Sequence, residues 1–185
     1  AMLLEETNFV NRDNNWKPEL EKLTAGAAGE NFSVIVIGAG MSGICTGIKL
    51  SEAGINYTIL EKNAAVGGTW YENSYPDCGV DTPNHFYSYS FERNANWSGY
   101  FSKRDELYEY FEQCTDQFGI RDHIQLNTEV QKMQLDTGSQ TWQVTVKRQD
   151  GSVDILAANA VISAVGQLNR PSIPDFDGLE TFEGD

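Results

Sequence analysis

The sequence predicts an α/β fold in which a parallel sheet is joined to an antiparallel β-meander. An apolar run at residues 34–37 is followed by glycines in a GxGxxG spacing, by a helical stretch and by a second apolar run at residues 57–60. From residue 123 onward, apolar and polar residues alternate, which is typical of antiparallel strands. A last apolar run, at residues 160–165, is predicted to return as a fully buried parallel strand.

The first of these segments has the order of strand, glycine turn, helix and strand that defines the Rossmann-like dinucleotide-binding unit. Gly38 allows the sharp turn, Gly40 lets the backbone approach a pyrophosphate, and Gly43 lets the helix lie close to the sheet. The pyrophosphate is expected to meet unpaired N–H groups and the positive end of a helix that begins near Met41. A glycine turn can also serve packing alone, but the flanking strand, helix and acid favour a dinucleotide.

Glu61, the acid that follows the second run, indicates which dinucleotide binds. Its carboxylate can accept hydrogen bonds from a ribose diol, and it would repel a 2′-phosphate. We therefore expect this site to favour FAD or NAD over NADP.

The composition excludes several classes of function. The formal net charge of -14 argues against nucleic acid, because no basic surface is available to displace counterions from phosphates. No apolar run approaches the ~18 residues that a membrane crossing needs. The first residues lack the basic flank and apolar stretch of a secretion signal. We expect a cytoplasmic protein that binds neither nucleic acid nor membrane.

The cysteines and histidines predict neither a disulfide framework nor a metal site, because they are few and far apart. Cys45 and Cys114 fall within predicted helices, where a small buried side chain is expected. Cys78 lies in a glycine-containing loop and is the one candidate for a reactive thiol.

Residues 62–101 form a long segment without clear periodicity, and such segments are often functional. Ser102 is then predicted to cap a helix that ends at Gly119. The apolar stripe of this helix is interpreted as core rather than as part of a cofactor site. Its members are Leu107, Tyr108, Phe111, Cys114 and Phe118.

The meander is predicted to begin with one continuous strand over residues 124–135. A turn at residues 136–139 leads to a second strand over residues 142–146, and a hairpin turn at residues 150–151 leads to a third over residues 152–156. A meander that returns to a parallel strand is typical of domains like those of the flavin- or pyridine-nucleotide disulfide reductases.

A second motif lies within the long segment and carries a family resemblance. Its residues, at fixed spacing, are Gly67, Gly68, Trp70, Tyr75, Pro76 and Asp81. In it the chain resembles the class B flavoprotein monooxygenases, and within them the Baeyer–Villiger monooxygenases, whose long fingerprint has the same spacing. Asp77 departs from the glycine or methionine of that family, and residues 80–91 most resemble its hydroxyacetophenone-type members, whose substrates are aryl ketones.

The resemblance implies FAD and NADPH as cofactors, and O₂ with a ketone as substrates. It implies that Gly79, Val80 and Asp81 approach the nicotinamide end of NADPH. Asp81 is the candidate catalytic residue, a carboxylate that would orient an arginine from outside this chain. A loop-capping Asx turn is the alternative role for it. Besides the glycines of the first turn, the candidate cofactor contacts are Ser42, Glu61, Gly68, Thr69, Trp70, Asp81, Tyr87 and Val130.

The same resemblance divides the chain into three parts. We expect residues 1–30 to be an N-terminal extension with a brief helix and a linker, and residues 31–170 to be the N-terminal part of an FAD-binding domain. Residues 171–185 would begin a linker to an NADP-binding domain. No second GxGxxG is present, so we expect a truncated fold with most of the NADPH site outside this chain.

Three functions therefore remain open at this point. The intact protein is expected to be an NADPH-dependent Baeyer–Villiger enzyme that converts ketones to esters or lactones. An N- or S-oxidising flavin monooxygenase shares the βαβ site and the Gly-Gly-x-Trp segment. The chain alone is expected to be inactive and can be a non-catalytic dinucleotide-binding module.

Overall fold

The computed structural model of the chain describes residues 32–167 and 172–184. The brief helix expected within residues 1–30 lies outside the described residues. The described part is an α/β fold with one parallel and one antiparallel sheet, as predicted. Its strands are β1 (Ser33–Ile37), β2 (Asn56–Leu60), β3 (Ile124–Gln125), β4 (Thr128–Asp136), β5 (Thr141–Arg148), β6 (Val153–Ala158) and β7 (Ala160–Ser163), and its helices are α1 (Met41–Glu52), α2 (Thr69–Glu72) and α3 (Arg104–Gln117).

The predicted βαβ unit is confirmed. β1 and β2 run parallel, with Ser33 opposite Asn56 and Ile37 opposite Leu60. α1 connects them and packs through Ile44 into the cluster of buried apolar residues that fills the main core. The parallel sheet has the order β3-β2-β1-β7, so the glycine turn leaves from one of its two inner strands.

β7 confirms the predicted parallel strand but is not fully buried. It pairs with β1, with Val34 opposite Ala160 and Ile37 opposite Ser163. Ile162 is 36% exposed and Ser163 is exposed as well. The reason is that β7 has β1 as its one neighbour in the described sheet, so an apolar sequence does not by itself make a strand central.

α3 has the predicted core but a different start. Leu107, Phe111 and Cys114 are buried, which confirms the apolar stripe as core. The predicted cap is wrong: the residue before the helix is Lys103, and Ser102 donates its hydroxyl to the Glu106 carboxylate instead. A serine one residue too early thus serves a side-chain network rather than the helix amides.

The predicted strand over residues 124–135 is wrong, because the chain breaks there into two strands in different sheets. β3 pairs in parallel with β2, whereas β4 pairs antiparallel with β5. Asn127, between them, has a φ of 52°, a left-handed conformation that asparagine tolerates better than most residues. A pattern of period two continues through this break, so it gives no sign of the change of sheet.

The antiparallel sheet, β4-β5-β6, confirms the meander and has its own buried cluster. Val144 and Val146 of β5 pack against Ile35 and Leu60 of the parallel sheet, so the two sheets share this cluster. A bulge between Val130 and Lys132 interrupts the pairing of β4. Among the described residues, no helix is both long enough and apolar enough to cross a membrane.

Candidate dinucleotide-binding site

The glycine turn after β1 is packed so tightly that two of its glycines are required by the fold. Gly38 has a φ of 99° and donates its N–H to the carbonyl of Leu60 at 2.8 Å. A Cβ at this position would lie 2.8 Å from the carbonyl oxygen of Ala164. A Cβ on Gly43 would lie 1.8 Å from the carbonyl oxygen of Gly38. Turn, helix and the segment after β7 therefore touch through backbone atoms.

Gly40 differs from its two neighbours in the motif. It precedes α1 with φ -80° and ψ -170°, an extended conformation open to any residue. A Cβ there would lie 3.4 Å from the Cα of Gly68, an ordinary van der Waals distance. Packing within the described chain therefore does not require glycine at this position.

The second glycine motif lies directly on the first. Gly67 donates its N–H to the carbonyl of Ala39 at 2.9 Å. Gly68 has a φ of 54°, and a Cβ there would lie 2.8 Å from the Cα of Gly40. Two motifs that are separate in the sequence thus form one backbone cradle, and their spacing gave no sign of this contact.

Glu61 is hydrogen-bonded to the backbone of this cradle. Its side chain is buried, and its two carboxylate oxygens accept the N–H of Ala39 at 2.7 Å and the N–H of Asn63 at 2.9 Å. Its carbonyl accepts the N–H of Thr128 at 2.8 Å, which ties the start of β4 to this point. Carboxylate oxygens each have a further lone pair, so both can still accept a hydrogen bond from a hydroxyl.

Trp70 and Tyr87 form an aromatic pair close to the cradle. Trp70 is 6% exposed, and its ring meets that of Tyr87 edge-on, with centroids 5.7 Å apart. Burial raises the pKa of the Tyr87 hydroxyl, and the negative charge of Asp81 acts in the same direction. Tyr87 therefore keeps its proton, and Asp81 lies within electrostatic reach of it. Thr69, at the start of α2, is exposed.

Asp81 itself is exposed, and the hydroxyl of Thr82 approaches its carboxylate at 3.4 Å. The two residues before it are held by the chain that enters α3. Gly79 pairs with Lys103, and Val80 donates its N–H to the carbonyl of Ser102 at 3.0 Å. The segment is therefore anchored at its backbone, while the Asp81 carboxylate is open to a partner.

Asp77 shows why its departure from the family pattern is tolerated. It has a φ of 65°, the left-handed conformation that glycine adopts without strain and that aspartate tolerates. Its carboxylate also pairs with the Lys103 ammonium group at 2.7 Å. The aspartate is therefore compatible with the left-handed conformation of this turn.

The remaining candidates are placed less centrally. Ser42 lies exposed in the first turn of α1, where its carbonyl accepts the hydroxyl of Thr46 at 2.7 Å. Val130 lies in β4 beside the bulge and packs against the second buried cluster. Cys78, the candidate reactive thiol, is 6% exposed. The structure therefore groups Gly38, Gly40, Gly43, Glu61, Gly68, Thr69 and Trp70 most closely and holds Gly79, Val80, Asp81 and Tyr87 on the adjoining loop.

A family model for pyridine nucleotide-disulphide oxidoreductases matches residues 35–183, which include both glycine motifs. The chain belongs to this family. It is 40% identical over 156 residues to a Baeyer–Villiger monooxygenase of Streptomyces coelicolor, covering 84% of this chain and 29% of that protein. It is 38% identical over 159 residues to a Baeyer–Villiger monooxygenase of Pseudomonas aeruginosa, covering 85% of this chain and 29% of that one.

A solved structure shows the same similarity in three dimensions. The chain matches a crystal structure of cyclohexanone monooxygenase from Rhodococcus sp. Phi1 bound to NADP+ with a TM-score of 0.71 and 35% identity. The match covers 84% of this chain and 30% of that one. The resemblance to Baeyer–Villiger monooxygenases is therefore confirmed. The chain spans between about a quarter and a third of the length of these relatives.

Proposed function

We propose that this chain is the FAD-binding portion of an NADPH- and O₂-dependent flavin monooxygenase that inserts oxygen into ketones to give esters or lactones. The membership in the pyridine nucleotide-disulphide oxidoreductase family supports a dinucleotide site. The similarity to Baeyer–Villiger monooxygenases supports the reaction type. The intact protein is the proposed enzyme, and a small ketone and O₂ are its proposed substrates.

One observation carries the FAD assignment: Gly40 is small without a packing reason. Gly38 and Gly43 have backbone atoms where a side chain would lie, so the fold alone accounts for them. Gly40 has an ordinary φ, and a Cβ there would find ordinary contacts. It stands immediately before the first turn of α1, whose amides have no partner within the helix. A pyrophosphate that lies against those amides explains the missing side chain.

The residues of the cradle fit FAD in their chemistry. The first-turn amides of α1, with Ser42, suit the pyrophosphate, and the buried Glu61 carboxylate suits a ribose diol. Trp70 and Tyr87, whose rings meet edge-on, supply aromatic side chains beside the cradle. When bound, FAD would supply the redox chemistry between NADPH, O₂ and the ketone. Thr69, Asp81 and Val130 are further proposed contacts.

The chain's own residues would orient the reactants. Gly79 and Val80 are fixed at their backbone by the entry into α3, which suits a segment against which a nicotinamide ring is placed. Asp81 is exposed beside them, so its carboxylate can pair with an arginine from outside this chain and hold it in its charged form. Tyr87 stays protonated and can donate a hydrogen bond.

The FAD assignment is tested by titrating the purified, full-length gene product with FAD. We expect saturable quenching of flavin fluorescence and a bound flavin absorbance band. A protein that is folded by circular dichroism but leaves the flavin spectrum and fluorescence unchanged would reject the assignment.

The reaction is tested with NADPH, O₂ and an aryl ketone, with the product identified by mass spectrometry. We expect an ester whose mass exceeds that of the ketone by one oxygen atom, together with NADPH oxidation. Parallel reactions with a tertiary amine and a thioether test the N- or S-oxidising alternative. Oxides of these compounds without any ester from the ketone would favour that alternative.

The 185-residue chain alone is proposed to lack turnover and to act, at most, as a dinucleotide-binding module. The support is that it spans less than a third of the monooxygenases it matches. A cytoplasmic location is proposed as well, and its support is that the three cysteines form no disulfide. Cell fractionation of the tagged protein tests this location.

A further inference from the structure

Tyr89 links two parts of the candidate site that are distant in the sequence. Its hydroxyl donates to the carbonyl of Met41 at 2.5 Å, across 48 positions of the chain. Its own N–H donates to the hydroxyl of Tyr110 at 2.9 Å, and that hydroxyl donates to the carbonyl of Glu92 at 2.6 Å. Its ring stacks on Phe91 with centroids 5.0 Å apart. The backbone of Tyr89 is therefore bonded to α3 and its ring stacks within the loop, while its hydroxyl reaches α1.

The carbonyl that accepts this bond belongs to the peptide group between Met41 and Ser42, at the start of α1. Met41 is the first residue of α1, so its carbonyl shares one rigid plane with the N–H of Ser42. That N–H is among the first-turn amides that have no partner within the helix. A hydrogen bond to the carbonyl fixes the orientation of the plane and polarises the N–H at its other side. The Tyr89 hydroxyl thus orients the Ser42 N–H through the carbonyl on the other side of the same peptide group.

The state of the hydroxyl is constant over the working range of pH. Tyr89 is 7% exposed, and burial raises the pKa of its hydroxyl far above the ordinary value. The nearby Cys45, Cys114 and Tyr110 side chains act in the same direction. The hydroxyl therefore remains a donor, and the Met41 carbonyl has a lone pair to accept it beside the usual helical bond.

We propose that Tyr89 is a positioning residue that aims the Ser42 amide at the FAD pyrophosphate and couples this amide to the loop that carries Tyr87 and Asp81. This inference rests on the proposed FAD site. Tyr89 itself lies outside both glycine motifs. Loss of the hydroxyl is expected to weaken FAD binding and to shift the flavin relative to Tyr87, while the ring contacts are kept.

The experiment compares Tyr89→Phe with Tyr110→Phe and Tyr100→Phe in the full-length gene product. Tyr110→Phe removes a hydroxyl with two hydrogen bonds in the same loop but none to α1. Tyr100 is 61% exposed and controls for the loss of a phenol. For each protein, FAD affinity is measured by fluorescence titration, the flavin environment by visible circular dichroism, and the unfolding midpoint with and without FAD.

We expect Tyr89→Phe to bind FAD about three- to tenfold more weakly, because this factor corresponds to the loss of one net hydrogen bond. The variant should also alter the visible circular dichroism of the bound flavin. Tyr110→Phe is expected to unfold at a lower temperature with FAD affinity within about twofold of wild type, and Tyr100→Phe to match wild type. The FAD-induced rise of the midpoint shrinks for Tyr89→Phe alone, whatever its starting stability.

Wild-type affinity in Tyr89→Phe would overturn the inference while leaving the FAD site intact. An equal loss of affinity in Tyr110→Phe would overturn it too, because a general loosening of the loop would then explain both variants. A wild-type protein that binds no FAD would remove the proposed function, and the inference with it.

Discussion

Replacing Gly40 by alanine tests whether this glycine serves a ligand or the fold. The new methyl group would meet the Cα of Gly68 at 3.4 Å and otherwise no described atom closer than that. The backbone conformation, with φ -80°, is open to alanine. The variant is therefore expected to fold and to fail in binding, a combination that few substitutions at glycine produce.

The expected magnitudes follow from the structure. Alanine is a poorer residue than glycine before a helix, by up to about 1 kcal/mol. The lower entropy of the unfolded chain returns about 0.4–1 kcal/mol. The free energy of unfolding should thus stay within about 1 kcal/mol of wild type. A methyl group that displaces the pyrophosphate from one charge-assisted amide bond removes about 1.5–3 kcal/mol, or a tenfold or greater loss of FAD affinity.

Gly43→Ala is the matched control, because it is the same change one helical turn away. Its methyl group would lie 1.8 Å from the carbonyl oxygen of Gly38, so helix and turn must separate. We expect a loss of about 1–3 kcal/mol in the free energy of unfolding. Urea denaturation and FAD titration of both variants decide the matter. If Gly40→Ala binds FAD as tightly as wild type, or unfolds as readily as Gly43→Ala, the reasoning for a ligand at Gly40 is refuted.

Further predictions concern the residues around the cradle. Glu61→Gln should lower the free energy of unfolding by about 1–3 kcal/mol, because an NH₂ group must then face one of two backbone N–H donors; unchanged urea denaturation would contradict this. Asp77→Val should lose about 1–2 kcal/mol relative to Asp77→Gly, since a β-branched residue is strained at positive φ; equal urea midpoints would contradict it. Trp70→Ala should lose about 3–5 kcal/mol by leaving a cavity, which calorimetry measures. Burial raises the pKa of Cys114 from 9.0 to about 11. The folded state therefore keeps a proton that the unfolded state releases, and stability should fall as the pH rises from 9.0 towards about 11. Cys114→Ala should reduce that slope.

The βαβ unit could be predicted because each of its signals is local. An apolar run of four residues, a glycine turn and an amphipathic helix specify their own conformations, and β1, α1 and β2 lie where the sequence indicated. The meander was predictable for the same reason, since turns at residues 136–139 and 150–151 fix their hairpins. The acid after β2 was predictable from the order of these elements.

The errors occurred where the structure depends on residues distant in the sequence. The change of sheet at Asn127 is determined by the partners of β3 and β4, which lie far from it in the chain. Ser102 was predicted as a cap because its spacing fits, but Glu106 and Asn84 engage its side chain and its N–H. The exposure of Ile162 depends on which neighbours β7 has, and an apolar run does not encode that.

The candidate site shows the same division between local and distant causes. A GxGxxG spacing says that three positions lack side chains, but it does not say why. In the structure, Gly38 and Gly43 are small because backbone atoms of the chain occupy the space of their side chains. Gly68 is small because Gly40 lies against it, whereas Gly40 retains room on its remaining sides. The fold thus accounts for all but one of these glycines, and a ligand is needed only for that one. Gly40 therefore supports the proposed FAD site more strongly than the GxGxxG spacing does as a whole.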